Sequence, residues 1–199
     1  MTKLPPLPPR MRNLPINARG YPIPFFAKRH DKLSVIHEWK RLIAVIDRRC
    51  WVCGEKLGRM ASFVLGPSEV FTRTTNEPPM HHSCARWAVR GCPFLSNPRR
   101  RRTDQDEASD SGVEEHGQHN PGCWAVWTTA EYRGDCVRGH FELIVEDPVE
   151  VLWFHRSRLA TRDEVERAFA YYRAHFSLSD RMRRFLPGEQ QHTTEQAAE

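Results

Sequence analysis

Two short pairs of cysteine and histidine residues constrain this chain more than any other feature of its sequence. Cys50 and Cys53 form a Cys-x-x-Cys pair, and His81 and Cys84 form a His-x-x-Cys pair further along the chain. Two such pairs supply the four ligands of a tetrahedral zinc ion. Because all four ligands come from the protein, the pattern predicts a structural zinc site with no position left for water or substrate.

The next cysteine along the chain, Cys92, lies too far from this set to join it. It follows Cys84 by eight residues, which on a straight helix is about 12 Å at about 1.5 Å per residue. His82 is adjacent to His81, but on a regular helical turn its side chain would point away from Cys84. We therefore predict one zinc ion, bound by the four residues of the two pairs.

The residues between the two pairs indicate how the site is built. Residues 60–65 and 70–75 have the composition of two β-strands, and Gly66 and Pro67 between them are typical of a turn. Two prolines then precede a helical pattern that carries the second pair in its first turn. A knuckle, a hairpin and a helix resemble the treble-clef class of zinc fingers over residues 50–92. That resemblance implies binding of nucleic acid or protein, or nuclease activity, and does not choose among them.

Short stretches over a wider part of the chain are similar to a family of uncharacterised bacterial and bacteriophage proteins. These stretches are Cys50-Trp51-Val52-Cys53-Gly54, Phe63-Val64-Leu65-Gly66-Pro67, Glu77-Pro78-Pro79 and Cys92-Pro93-Phe94-Leu95. The resemblance implies a prokaryotic or phage origin and supplies no activity.

The composition favours a modest folded core and a basic surface. Hydrophobic residues make up 39% of the chain, below the roughly 45–50% of average globular proteins. The formal net charge is +5, which is compatible with contact to nucleic acid. The sequence has no apolar run of about 18 residues, and its N-terminus lacks the apolar core of a signal peptide. We therefore expect a cytoplasmic protein whose reduced thiols are available to metal.

The fold class that the pattern favours is α+β: a treble-clef-like zinc-binding half and a small strand-and-helix half, joined by a mobile charged loop. The predicted segments are a proline-rich arm over 1–24, a helix plus the zinc-binding domain over 25–96, a charged flexible loop over 97–121, a strand-and-helix region packing on the first domain over 122–187, and a disordered tail over 188–199. The many prolines of the arm favour an extended segment, either draped over the domain or disordered. Residues 21–27 are a candidate edge strand.

Hydrophobic spacing predicts one helix before the first cysteine pair. Its apolar residues fall at helical spacing and are expected to face the core. They are Val35, Ile36, Trp39, Leu42, Ile43 and Ile46. The polar residues from 28 to 49 are mostly basic, so this segment is also the best folded candidate for a surface that faces phosphate.

The second half shows a different order of elements. Residues 123–129 and 141–145 predict strands separated by a loop over 133–139. An Asp-Pro pair is typical of a helix start before residues 149–154, and a capping box over 161–164 opens a final helix. The buried stripe of that helix is predicted to be Val165, Ala168, Phe169, Tyr172 and Phe176.

We predict a binding protein rather than an enzyme, a regulatory or accessory factor that contacts nucleic acid, DNA rather than RNA. Basic residues would contact phosphates without reading sequence. The candidates are Lys28, Arg29, Lys40, Arg41, Arg48, Arg49, Arg99, Arg100, Arg101 and Arg102. An acidic run follows the last four arginines and can neutralise them, so a solvated linker is the alternative there. Neither a membrane nor a small-molecule substrate is indicated.

Other functions stay open from the sequence. A phage-type inhibitor or adaptor would dock on a host protein, with aromatic residues such as Trp51 or Trp153 as anchors. A divergent treble-clef nuclease would use His82 as its base, although no second metal cluster is evident. Cys123 followed by His140 allows a cysteine nucleophile, but a buried small hydrophobe explains Cys123 without catalysis.

Overall fold

The computed structural model describes residues 4–27, 38–98, 120–137 and 140–173 of the 199-residue chain. These residues form the mixed α and β fold that was predicted, with four α-helices and two antiparallel sheets. The helices are α1 (Glu38–Ile46), α2 (Pro67–Thr72), α3 (His82–Gly91) and α4 (Arg162–Arg173). The strands are β1 (Ala61–Leu65), β2 (Thr74–Thr75), β3 (Cys123–Thr129), β4 (Tyr132–Val137), β5 (His140–Val145), β6 (Glu150–His155) and β7 (Arg158–Leu159). None of the helices in these ranges is long and apolar enough to cross a membrane.

Both sheets combine strands from the two predicted halves of the chain. The first has the order β1-β3-β6-β7, so β1 from the first half pairs antiparallel with β3 from the second. Trp127 of β3 lies opposite Phe63 on one side and Val151 on the other. The second sheet has the order β2-β5-β4. The halves are thus joined by shared backbone pairing, and the domain boundaries given above stay a prediction.

The core is built on β1 and β3, in which every residue is buried. Phe63, Trp127 and Trp153 are completely shielded from solvent. Trp153 packs edge-to-face on Phe169 of α4, with ring centroids 5.4 Å apart. Burying such a side chain stabilises a fold by roughly 1.5–3 kcal/mol. Because α3 packs on β1 and β3, this core also positions the half of the metal site that α3 carries.

A helix replaces one of the two strands predicted beside the metal site. The strand over 60–65 is confirmed as β1, but residues 67–72 form α2, and only Thr74–Thr75 is extended. A proline lies in the first turn of α2, and the Glu69 carboxylate accepts a hydrogen bond from the Gly66 N–H at 2.7 Å. These two signals fix a helix start. β1 consequently pairs with β3 rather than with a neighbouring hairpin strand.

Two expectations for the second half are wrong, although the strands over 123–129 and 141–145 are confirmed as β3 and β5. The segment predicted as a loop over 133–139 contains most of β4, which pairs antiparallel with β5. The segment predicted as a helix over 149–154 is largely β6, and it pairs with β3. Each segment forms a ladder of backbone hydrogen bonds with a neighbouring strand. These hydrogen bonds between strands outweigh the local turn and cap signals of the sequence.

The apolar stripe of α1 faces solvent rather than the core, contrary to the prediction. The exposed residues, called the α1 apolar face below, are Trp39, Leu42, Ile43 and Ile46. Ala44 is completely buried, and the Arg41 guanidinium donates from Nη1 to the carbonyl and side-chain oxygens of Asn76 at 3.1 and 2.8 Å. The helix therefore packs through the opposite face. Val35 and Ile36 lie outside the described residues.

The part of the proline-rich arm that the structure describes packs on the domain. It contains a short 3₁₀ helix (Pro9–Met11) whose last residue is completely buried. Trp87 of α3 donates from Nε1 to the Pro5 carbonyl at 3.1 Å. Residues 21–27 form turns and an isolated bridge rather than the expected edge strand. The arm was predicted to be either packed over the domain or disordered, and its described residues are packed over the domain.

The start of the last helix is as predicted. Thr161 Oγ1 accepts a hydrogen bond from the Glu164 N–H at 3.3 Å, and Glu164 Oε2 accepts one from the Thr161 N–H at 2.9 Å. This reciprocal pair is a capping box. Val165 and Phe169 of the predicted stripe are buried. Outside the described residues lie the side chain of Tyr172, Phe176 and the predicted tail over 188–199.

Candidate metal centre

The first two ligands lie on a tight knuckle between α1 and β1. The Cys50 N–H donates to the Glu55 carbonyl, and the Gly54 N–H donates to the Cys50 carbonyl, both at 2.8 Å. Gly54 has a φ of 77°, in the left-handed region that a residue with a Cβ enters only at a cost. The glycine directly after the second cysteine therefore lets the loop turn while the thiols of Cys50 and Cys53 stay close together.

The second pair lies at the N-terminus of α3. Met80, just before it, exchanges two backbone hydrogen bonds with Ser62 of β1, both at 2.8 Å. His81 is the extended N-cap residue (ψ 149°), and Cys84 lies in the first turn. The prediction placed both residues inside the helix, and the structure corrects this for His81. The two ligands still meet, because the N-cap and the first turn lie at the same end of the helix.

The ligand atoms of Cys50, Cys53, His81 and Cys84 all lie within 4.8 Å of one another. Around a tetrahedral zinc ion with Zn–S bonds of about 2.3 Å, sulfur atoms are about 3.8 Å apart. The cluster therefore has the size that such an ion requires. Cys50 and Cys84 are completely buried, as suits a site that shields its metal from water. The four residues fit one structural zinc ion, as predicted, and Cys92 is not part of the group.

The hydrogen bonds of His81 select its metal-binding nitrogen. Its Nδ1 lies 3.3 Å from Cys53 Sγ, and its Nε2 lies 3.1 Å from the Lys56 carbonyl oxygen. A carbonyl oxygen only accepts hydrogen bonds, so Nε2 carries the proton and Nδ1 keeps the lone pair. The outer hydrogen bond thus fixes the tautomer and the ring orientation that a zinc ligand needs.

Hydrogen bonds also prepare the thiols for a metal. Hydrogen bonds from the Cys53 and Cys84 thiols and from backbone N–H groups lower the pKa of Cys50 to about 3. One backbone donor is the His81 N–H, 3.4 Å from Cys50 Sγ. The pKa of Cys84 is raised, because its thiol is held in hydrogen bonds to Cys50 and Cys53 and its thiolate would be repelled by theirs. A divalent cation removes this repulsion, so the cluster releases protons as it binds zinc.

Comparisons with known proteins add no assignment to this site. No family model matches the chain, and neither the curated proteins nor the solved structures give a match. The interpretation of the site therefore depends on its own geometry: a knuckle, a strand bridged to the start of a helix, and four converging ligand atoms.

Two of the predicted phosphate contacts lie on the zinc knuckle itself. Arg49 donates from Nη1 to the Gly54 carbonyl at 2.9 Å. Arg48 donates from Nη2 to the Gly58 carbonyl at 3.1 Å, and its guanidinium lies over the Tyr132 ring. Both side chains are half-buried, so backbone contacts hold their cationic groups at the surface of the metal-binding loop.

The other predicted phosphate contacts are distributed differently. Lys40 is half-buried on α1, with its ammonium 5.6 Å from the centre of the Trp39 ring. Arg41 is only 8% exposed and is bound to Asn76. The charge of Arg41 is therefore largely shielded from solvent, and its contact with phosphate stays a prediction. Outside the described residues lie Lys28, Arg29, Arg99, Arg100, Arg101 and Arg102.

Two cations that the sequence analysis did not single out are exposed near the same loop. Lys56 lies three residues after Cys53 and donates from Nζ to the Asp47 carbonyl at 2.7 Å. Arg59 is exposed just before β1. The sequence did contain a signal for these two cations, because they lie close to the metal ligands along the chain. A bound metal fixes the residues on either side of its ligands.

His82, the candidate nuclease base, points away from the zinc ligands toward β6. Its Nε2 lies 2.9 Å from Glu150 Oε2. Burial lowers the pKa of His82, and the Glu150 carboxylate opposes that effect. Among the described residues, the Cys/His cluster is the one group of side chains arranged to hold a metal.

A second contact between a cysteine and a histidine lies in the first sheet, where the sequence analysis missed it. Cys123 Sγ is 3.8 Å from His155 Nδ1, because the two residues are opposite each other in the β3–β6 register. His155 Nδ1 also lies 2.6 Å from the Gly122 carbonyl oxygen. It donates its proton there and offers no base to the thiol. Burial raises the pKa of Cys123 to about 12, and the side chain of His140, its predicted partner, lies outside the described residues.

The two tryptophans predicted as docking anchors are buried. Trp51 stacks on Phe26, and Trp153 packs on Phe169. They contribute to the core instead of a partner surface. The large apolar side chains that do face solvent include the α1 apolar face and Phe25.

Proposed function

We propose that this protein is a zinc-stabilised regulatory or accessory factor that contacts nucleic acid through cations around its zinc knuckle. The observation that carries the proposal is the placement of four cations on or beside the metal-binding loop. These knuckle cations are Arg48, Arg49, Lys56 and Arg59. They outnumber the carboxylates of the same stretch, Asp47 and Glu55. A closed structural zinc site holds such a loop in one conformation, so little entropy is lost when its cations meet phosphates.

We also propose a treble-clef-like description for residues 50–92. A knuckle, the bridge between Ser62 and Met80, and a helix with the second ligand pair at its start support it. The insertion of α2 and β2 between the two ligand pairs departs from a simple hairpin. A bacterial or bacteriophage origin is a proposal on the same resemblance. We place the protein in the cytoplasm, since three metal-binding thiols require reducing conditions.

The proposed contacts neutralise phosphates and read no sequence. Arg49 is paired with Asp47 through an exposed ion pair at 3.5 Å. Exposed pairs of this kind contribute at most about 1 kcal/mol, so a phosphate competes with Asp47 at little cost. DNA is the nucleic acid that we expect.

A salt titration of DNA binding tests the proposal. We expect the affinity for random-sequence DNA to fall steeply with salt, with a slope of about −0.9 per phosphate on a duplex. The double variant Arg49→Gln, Lys56→Gln should reduce that slope by about 2. Arg162→Gln on α4, an exposed cation paired with Glu166, is the matched control and should leave the slope unchanged. Absence of DNA binding at low salt would refute the proposal.

A second candidate function is docking on a partner protein, as an inhibitor or adaptor would. The α1 apolar face favours it, because apolar side chains at i, i+3, i+4 and i+7 of an exposed helix fit a hydrophobic groove. Ile46→Asp should abolish capture of that partner from the native cell while zinc content and melting temperature stay unchanged. Ile16→Asp, at another exposed apolar position, is the control. A strongly lowered melting temperature for Ile46→Asp would show that the face is packed.

A further inference from the structure

Phe25 is an aromatic ring held open to solvent beside the zinc knuckle. Its side chain is 59% exposed, whereas Phe26 and Trp51 are buried. Phe25 meets Phe26 edge-to-face with ring centroids 5.0 Å apart, and Phe26 stacks on Trp51 at 5.5 Å. The Phe25 N–H also donates to the Val52 carbonyl at 2.8 Å. The ring is therefore fixed by a buried aromatic layer and by the backbone of the knuckle.

The same ring lies directly against the metal-binding loop. A Cβ at Gly54 would be 2.4 Å from Phe25 Cγ, so only glycine leaves room for the ring at that point. The carbonyl of the same glycine accepts the hydrogen bond from Arg49 Nη1 at 2.9 Å. An exposed ring and a guanidinium thus contact one residue of the loop, and Lys56 lies two residues further along.

We propose that Phe25 is a stacking platform for an unpaired base, and that Arg49 and Lys56 contact the phosphates of the bound strand. The inference depends on the proposed function and adds the ligand class, single-stranded rather than duplex nucleic acid. In a duplex both faces of each base are already stacked, whereas an unpaired base offers a free face to an aromatic ring. Proteins that bind single strands combine such rings with a basic surface.

The surroundings of Phe25 favour a nucleic acid over a protein ligand. Lys56, two residues after Gly54, is exposed and cationic, and the Glu55 carboxylate is paired with Arg10, whereas the centre of a protein-binding patch is depleted in charge. The exposed pair between Asp47 and Arg49 opens easily for a phosphate. Because the ring is already fixed, a stacking base pays little entropy to order it.

Binding of a labelled oligothymidylate of about 20 nucleotides to the zinc-loaded full chain tests the platform. Phe25→Ala should weaken binding roughly 5- to 150-fold, the range for loss of one base–aromatic stack. Phe25→Trp should bind at least as tightly as the wild type. Arg49→Gln should lower the salt slope by about 0.7, the value for one phosphate contact on a single strand, whereas Phe25→Ala should leave the slope unchanged. An oligouridylate of equal length distinguishes RNA from DNA as the source of the strand.

A duplex of the same length and a matched apolar variant complete the design. The duplex should bind more weakly than the single strand, with no effect of Phe25→Ala. Val149→Ala, at an exposed apolar position before β6, should bind like the wild type. Zinc content and melting temperature report the fold of each variant. Phe25→Leu, which keeps apolar bulk without a ring, should lose affinity even if Phe25→Ala does not fold.

Three outcomes overturn the platform. If the wild type binds the single strand with a steep salt dependence and Phe25→Ala or Phe25→Leu binds equally well, the platform is wrong while the proposed function stands. If the wild type binds neither strand nor duplex at low salt, the proposed function fails and the platform fails with it. Phe25-dependent binding of a poly-L-proline peptide without oligonucleotide binding identifies a protein ligand instead.

Discussion

Among the described residues, two contacts between a cysteine thiol and a histidine ring have opposite chemical consequences. In the zinc centre, Cys53 Sγ lies 3.3 Å from His81 Nδ1. In the first sheet, Cys123 Sγ lies 3.8 Å from His155 Nδ1. The first contact belongs to a metal site, whereas the second is a buried contact that helps to join β3, β6 and α4. Proximity of a thiol and an imidazole therefore does not by itself define their chemistry.

The hydrogen bonds around each pair make the difference. His81 donates from Nε2 to the Lys56 carbonyl, which leaves Nδ1 free for a metal. His155 donates from Nδ1 to the Gly122 carbonyl, which removes that nitrogen as a base. Thiol and backbone donors lower the pKa of Cys50 at the metal site, whereas burial raises the pKa of Cys123. Whether each histidine can act as a ligand thus depends on which of its ring nitrogens donates to a backbone carbonyl. Whether each thiol is reactive depends on the hydrogen-bond donors around its sulfur.

Removal of one zinc ligand should have the largest effect. Cys84→Ser is expected to lose the zinc and to unfold the chain. Structural zinc contributes about 10–16 kcal/mol in small zinc-binding domains, which matches or exceeds the roughly 5–15 kcal/mol of a typical domain. Metal analysis and circular dichroism of the purified variant measure both results. A folded Cys84→Ser protein that still holds one zinc per chain would contradict the assignment of this ligand.

Removal of the cysteine sulfur in the first sheet should reduce the stability of the protein only slightly. Cys123→Ala removes a completely buried sulfur that no metal uses, so we expect a loss of about 1–2 kcal/mol in the free energy of unfolding. Zinc content should stay at one per chain. Urea denaturation together with metal analysis tests this expectation. Zinc loss in this variant would show that the two sites are coupled, and the contrast between them would then fail.

Thiol reactivity tests, in the unmutated protein, whether Cys123 is inert. At pH 8 a thiol whose pKa is about 12 is about one ten-thousandth thiolate, whereas an ordinary thiol is about one quarter thiolate. The higher pKa also makes the remaining thiolate a stronger nucleophile, which offsets part of this difference. Cys123 in the folded protein should therefore react with iodoacetamide roughly a hundredfold more slowly than in the denatured chain. Peptide mass spectrometry after timed labelling gives both rates. Fast labelling of Cys123 in the folded protein would restore the hypothesis of a cysteine nucleophile.

The metal site was predictable because its information is local. Cys50 and Cys53 lie three positions apart, and so do His81 and Cys84, so each pair needs only one turn of chain to aim both ligands at one ion. The contact of Cys123 with His155 depends on the register of two strands that are distant in sequence. No spacing rule gives such a register, because it is set by packing of the whole sheet.

The helices also show that local sequence patterns do not determine which surfaces pack together. Periodicity revealed the apolar stripe of α1 but not which face packs, and the buried contact of Arg41 with Asn76 turned that stripe outward. For α2 the local signal was present and was misread. A Gly-Pro step with Glu69 three residues after Gly66 is a helix start, although Val70 and Phe71 favour a strand by propensity.

The expected effect that depends most on pH concerns the charges beside the Cys123–His155 pair. Glu164 accepts two hydrogen bonds from Arg158, at 2.9 and 2.6 Å, and one from the Thr161 N–H. These contacts, with Arg158 first, lower the pKa of Glu164 to about 2 from an ordinary value of 4.5. The folded protein thus binds this proton less readily than the unfolded chain. The resulting stability is fully present above about pH 4.5 and is lost as the pH falls toward about 2.

Glu164→Gln should therefore lower the melting temperature by a constant amount from about pH 7 to 5, and by less as the pH falls below about 4.5. Comparison of variant with wild type at each pH cancels the acid sensitivity of the zinc ligands, which both chains share. Glu166→Gln, which breaks the largely exposed pair with Arg162, is the control and should change stability by no more than about 0.5 kcal/mol. A difference for Glu164→Gln that is independent of pH down to about 3 would mean that Glu164 acts through packing and helix capping alone. In that case the charges around the Cys123–His155 pair, like the pair itself, would serve only to hold β3, β6 and α4 together.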